Sequence, residues 1–145
     1  ALVGEVPFLA SLDAATISRW MPRLVARKFG RGDLVVAAGE EPEAFHMVVS
    51  GLLEAGTVEE GLEEPVRLGP GATFGGPVAL AGLGVEGPVQ ALDETRIMLV
   101  SADEVALIRR HRPDLVERMR ASGSHGEVPG DEKEGRRRRR RRAAG

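Results

Sequence analysis

Residues 32–51, GDLVVAAGEEPEAFHMVVSG, and residues 68–75, LGPGATFG, decide how this chain is read. Short apolar runs alternate with Gly32, Gly39, Gly51, Gly69, Gly71 and Gly75. Runs of three to seven residues bounded by Gly, Pro or Asp are the punctuation of short strands and tight turns. The same rhythm continues outward. RLVARKF (23–29) precedes it, LLEAGTV (52–58) and PVRL (65–68) lie between the two stretches, and PVQAL (88–92) and TRIMLV (95–100) follow. The acidic stretch Glu59, Glu60, Gly61, Leu62, Glu63, Glu64 reads as an exposed hairpin loop. With 19 Gly, 9 Pro and only four Phe and one Trp, the composition suits a turn-rich β architecture.

Helical signals sit at the two ends. Pro7 to Trp20 reads as one short helix with Asp13 as N-cap and Leu9, Leu12, Ile17 and Trp20 on one face, stopped by Pro22. Pro77 to Ala81 is expected to start a helical turn with Pro77 at its first position. SADEVALIRRH (101–111) opens with Ser101 and Glu104 in capping-box spacing, and PDLVERMR (113–120) makes a second closing helix whose pattern ends after Met119. The chain is 145 residues long, the size of one domain, so we expect a domain over 1–120 and a disordered tail over 121–145 that ends in the run Arg136–Arg142.

Charge and composition exclude several functions. Overall, 20 basic and 22 acidic residues give −2, but residues 1–120 carry 12 Lys/Arg against 18 Asp/Glu, and residues 121–145 carry 8 against 4. An acidic body argues against a nucleic-acid face there. The absence of Cys removes disulfides, thiolate metal sites and thiol nucleophiles. His46 is expected to pack in a strand, and His111 and His125 have no ligand partners at metal-binding spacing. Asp33, Glu40 and Asp103 are read as turn and cap residues, and Ser50 lacks a nucleophile-elbow pattern. No pair of carboxylates calls for acid–base chemistry, so no active site is read and the chain is expected not to be an enzyme.

The glycine constellation, the opening helix, the Phe74–Gly75 pair after L-x-P-G and the two closing helices together resemble the cyclic nucleotide-binding domain family, from about Val6 to Met119. The resemblance implies an antiparallel eight-stranded β-roll with an N-terminal helix and two C-terminal helices, the last acting as a lid. It implies cAMP or cGMP as ligand. A turn at Gly75, Gly76 and Val78 would offer N–H donors to the cyclic phosphate, while Pro77 has none to offer. The family adds an Arg as counter-charge and a Glu directly after Phe-Gly for the ribose. Here Gly76 stands at the ribose position, and Val85, ten residues after Gly75, stands at the Arg position with Glu86 beside it. Losing a buried charge-assisted pair typically costs about 2–5 kcal/mol, so binding is expected to be impaired or altered.

Three readings follow from the resemblance. The leading one is a regulatory sensor domain forming the C-terminal cytosolic part of a larger channel or transporter. Its upstream effector would precede Ala1, possible membrane embedding and oligomerisation belonging to the parent protein. A degenerate interaction or assembly module without a nucleotide is the second. A truncated cAMP-receptor-type transcription regulator is the third, which would need a helix-turn-helix after the lid. The Arg run reads as an arm for anionic lipid or nucleic acid, or simply as a solvated end; each basic side chain is worth about 1 kcal/mol near an anionic membrane.

Overall fold

The computed structural model describes residues 6–57 and 65–123. Within them the chain forms helices α1 (Pro7–Ala10) and α2 (Ala14–Trp20), then strands β1 (Val25–Phe29), β2 (Leu34–Val36), β3 (Phe45–Ser50), β4 (Leu53–Thr57), β5 (Val66–Leu68) and β6 (Thr73–Phe74). Strands β7 (Val85–Ala91) and β8 (Thr95–Val100) and helices α3 (Ala102–His111) and α4 (Pro113–Ser122) complete it. The strands make two four-stranded antiparallel sheets, ordered β1-β8-β3-β6 and β2-β7-β4-β5. This is the eight-stranded roll with flanking helices that the resemblance implied. The acidic stretch Glu59–Glu64 and, from residue 124 onward, the tail with Arg136–Arg142 lie outside the described residues.

Several local expectations change. The opening helix is two pieces, because Asp13 takes an extended conformation (φ −71°, ψ 159°) and starts α2 afresh. Its carboxylate accepts the Thr16 hydroxyl. Pro22 does end α2, and Met21–Arg23 form a 3-10 turn leading into β1. No helix begins at Pro77. Val78 is tied back to Gly75 in a two-way bridge that takes up the expected first turn, and a 3-10 turn forms instead at Ala81–Leu83. Ser101 caps α3 by accepting from the Glu104 N–H at 3.3 Å, but only half of the capping box is present. The Glu104 carboxylate turns to Arg23 at 3.5 Å and ties α3 to the turn after α2. Helix α4 runs past Met119 and past residue 120 to Ser122, whose Oγ meets Thr73 Oγ1 at 2.8 Å.

Two apolar clusters divide the interior. Between the sheets lie Val36, Val48, Leu53, Ala55, Leu68, Phe74, Val85, Val89 and Ile97. Against the outer face of the first sheet, Phe45, Met47, Val49 and Val100 pack with Phe8, Leu9 and Trp20 and with Val105, Ile108, Leu115 and Met119 of the closing helices. Alternation along each strand predicts an inward set of Leu34, Val36, Phe45, Met47, Val49, Phe74, Ile97 and Leu99, with Trp20 packed beneath the roll. Val36, Phe74 and Ile97 point inward, Leu99 is half-buried against the same cluster, and Trp20 is buried in the helical layer. Phe45, Met47 and Val49 face the helices instead, because β3 is apolar on both sides and alternation cannot tell which parity faces the roll. Leu34 is 55% exposed, since β2 is an edge strand whose register shifts between Leu34 and Val36.

This assignment predicts unequal mutational costs. Phe45 is fully buried, with its ring edge-on to Phe8 at 5.2 Å. Phe45→Ala is expected to cost about 3–5 kcal/mol by chemical denaturation, and Leu34→Ala less than about 0.5 kcal/mol.

Candidate functional site

The structure brings Gly75, Gly76 and Val78 together in one turn, while Val85 and Glu86 lie on β7, opposite Thr57 and Gly56 of β4. Strand β6 delivers Phe74 into the roll, and the chain reverses through Gly75–Val78 before the 3-10 turn leads into β7. Glycine is required at Gly75 for two reasons: its φ is positive, and a Cβ there would overlap the Ala44 carbonyl oxygen and touch His46 Nδ1. At Gly76 a Cβ would come within 3.2 Å of the Glu43 carbonyl oxygen and 3.4 Å of Val105.

The three candidate donors are engaged by backbone carbonyls. The Gly75 N–H donates to Val78 O at 2.6 Å, the Val78 N–H to Gly75 O at 3.0 Å, and the Gly76 N–H to Pro42 O at 2.9 Å. Gly75 and Val78 thus form an isolated antiparallel bridge, and the turn satisfies itself. An anion approaching these amides has to displace bonds that already satisfy buried backbone groups, which removes most of its gain.

Val85 begins β7 opposite Thr57, with its side chain 1% exposed in the cluster between the sheets. An apolar side chain therefore fills the interior place at which a fixed cation was sought. The Glu86 backbone lies opposite Gly56 on β4; its side chain lies outside the described residues.

Two further groups belong to this neighbourhood. Glu41, not singled out from the sequence, places both carboxylate oxygens on the start of the 3-10 turn: Oε2 accepts the Leu80 N–H at 2.9 Å and Oε1 the Ala81 N–H at 3.1 Å. Its partners are 39 and 40 residues away, so no local pattern announces it. His46 lies on β3 beneath Gly75, stacked on Phe74 with ring centroids 4.6 Å apart and Nδ1 within 2.9 Å of Ala44 O. Burial pushes its pKa down from 6.5 to about 4, against the carbonyls of Ala44 and Phe74 and with a small contribution from Arg27. The imidazole is therefore neutral at pH 7 and donates through Nδ1 to Ala44, a packed histidine as expected.

The comparisons with known proteins agree on one family. The model of the cyclic nucleotide-binding domain matches residues 26–111. A cAMP-dependent protein kinase regulatory subunit of Emericella nidulans is 34% identical over 80 residues, covering 55% of this chain and 19% of that protein. A cyclic nucleotide-gated potassium channel of Mesorhizobium japonicum is 26% identical over 116 residues, covering 80% of this chain and 31% of the channel. The chain thus spans less than a third of either relative. Among solved structures, the N-terminal domain of a transcriptional regulator from Streptomyces coelicolor superposes with a TM-score of 0.56 at 19% identity, covering 99% of this chain and 94% of that one.

The depressed pKa of His46 sets a pH dependence. The unfolded imidazole takes up a proton below about 6.5 and the folded one only near 4, so stability is complete above 6.5 and falls as pH drops toward 4. The loss attributable to this group is expected to reach about 3 kcal/mol. Urea titrations at pH 7 and pH 4.5 should show His46→Phe losing less stability between the two than the parent chain; equal losses would contradict the assignment.

Proposed function

The chain belongs to the cyclic nucleotide-binding domain family, and from that premise we propose that it is a regulatory domain of a larger channel or transporter whose response to cAMP and cGMP is weak or lost. The observation that carries this reading is Val85, an apolar side chain 1% exposed where the resemblance calls for a cation. A cyclic phosphate keeps a full negative charge, and without a fixed counter-charge its desolvation is not offset. The self-bonded turn at Gly75–Val78 supports the same reading, as does Gly76, which offers no ribose acceptor. The channel relative, matched over 80% of this chain, supports the choice of parent protein. On this reading the domain performs no catalysis, and Arg136–Arg142 contact an anionic surface, lipid or nucleic acid.

A second reading, an interaction or assembly module that binds no nucleotide, is favoured by Glu41, whose carboxylate fills the donors of the 3-10 turn from within the chain. Under either reading, the work of the domain lies in how α3 and α4 sit on the roll. A ligand or partner shifts that arrangement only by the difference in its affinity for two states.

Thermal melting with added nucleotide tests the proposal. A ligand present at 100 times its Kd stabilises a fold by about 2.7 kcal/mol, so even modest affinity is visible as a rise in Tm. We expect no rise with millimolar cAMP or cGMP, and a saturable rise at micromolar nucleotide would overturn the reading. Val85→Arg provides the converse. Alone it buries an unpaired cation and lowers Tm, and millimolar cAMP should then recover part of the loss. Gly76→Glu is a poorer companion than its chemistry suggests, because φ at that position is 56° and the Pro42 bond would have to survive the strain.

A further inference from the structure

The segment 40–44, between β2 and β3, and the segment 75–83, between β6 and β7, are joined by more than proximity. Glu41 accepts two N–H bonds from Leu80 and Ala81, Pro42 O accepts one from Gly76, and the Ala44 carbonyl occupies the space that a side chain on Gly75 would need. An ionised acceptor makes stronger bonds than a neutral one, and the first amides of a helical turn carry partial positive charge. Two of these three hydrogen bonds end on the one carboxylate.

The opposite side of the same turn touches both closing helices. A Cβ built on Gly76 would sit 3.4 Å from Val105 Cγ1 of α3. A Cβ on Gly123, just after α4, would overlap Val78 Cγ1 and come within 3.4 Å of Leu83 Cδ2 at the far end of the segment, so the backbone there lies directly on the Val78 side chain. Ser122 reinforces this contact through Thr73. Between the loop, the turn and α3 lies a cavity of about 510 Å³, bordered by Glu41, Glu43, Gly76, Ala79, Ala106 and Arg109. Helix α3 therefore rests on the turn through Val105 with open space beside the contact, leaving room for it to shift.

We propose that Glu41 is a latch: its carboxylate clamps the 75–83 turn to the 40–44 loop, and through Val105 and Gly123 this clamp holds α3 and the end of α4 against the roll. Opening the latch releases the turn and loosens both helices together, while the β1–β8 ladder stays as it is. The proposal extends the reading above without resting on nucleotide binding. Its test contains no nucleotide, so the two stand or fall separately.

Native-state hydrogen exchange of the full chain, read at single amides, provides the test. In Glu41→Ala, exchange is expected to accelerate at least tenfold at Leu80, Ala81 and Gly76 and to rise also in α3 at Val105–Ile108 and in α4 at Met119–Ser122. Arg27 and Ile97, in the β1–β8 ladder, should keep the exchange of the parent chain. Glu41→Gln keeps the side-chain volume and a neutral acceptor, so it reports if the alanine variant is too unstable; it should show the same pattern at smaller size. Gly123→Ala, which wedges the far end, should accelerate Gly76 and Leu80 although it leaves Glu41 untouched. Acceleration confined to Leu80 and Ala81 would reduce Glu41 to a local cap and overturn the proposal. So would a uniform rise that includes Arg27 and Ile97, or a turn still protected in Gly123→Ala.

Discussion

Strand β3 is buried on both faces, and most of the architecture answers to that constraint. Phe45, Met47 and Val49 require a helical layer on one side, and Val48 requires a second sheet on the other. β3 also takes central ladder positions, pairing with β8 along its length and with β6 at His46 and Met47. A strand in that situation cannot tolerate a water-facing side, so α1, α2, α3 and α4 are all recruited to cover one sheet. His46 is the one titratable group on the strand. It stays neutral, its ring stacked on Phe74 and its Nδ1 bonded two residues back to Ala44. That stack places the histidine directly below Gly75, so the strand that organises the core also shapes the turn above it.

The turn is closed by the chain's own backbone. Gly75 and Gly76 keep the positive φ values that let two backbones approach closely. What that approach brings together here is Ala44, Pro42 and the Gly75–Val78 pair, all from the chain itself. Val85 packs among Leu80, Val89 and the other inner residues with no charge to desolvate. On the proposed function, a cation at this position would favour a phosphate at the cost of its own desolvation.

Much of this was legible from residue type and spacing. Glycines at 32, 39, 51, 71 and 75 mark real turns, each with a positive φ, and the apolar runs between them became strands. That Val85 carries no charge is a property of the side chain alone, whereas its burial between the sheets comes from the fold. The parity of β3 was not readable, because alternation discriminates only when one face is polar. Asp13 was legible as an N-cap, but not that the chain before it is a separate helix, because the apolar neighbours fit one continuous helical stripe as well as two short pieces. Glu41 was invisible for another reason: a carboxylate in a polar loop looks solvated until a turn some forty residues later is folded onto it.

These two kinds of hidden feature have the same origin. Sequence patterns report what a residue prefers locally, and β3 parity and the Glu41 bonds are both settled by what lies across from them. The loop 40–44 links the two. It leads into Phe45, whose burial against Phe8 fixes the start of β3 under the helical layer. With that start fixed, the Ala44 and Pro42 carbonyls and the Glu41 side chain are carried to the 75–83 turn. Placing Phe45 toward the helices therefore determines which groups the turn meets. The fold positions the turn through packing first, and the turn's hydrogen bonds follow from that placement.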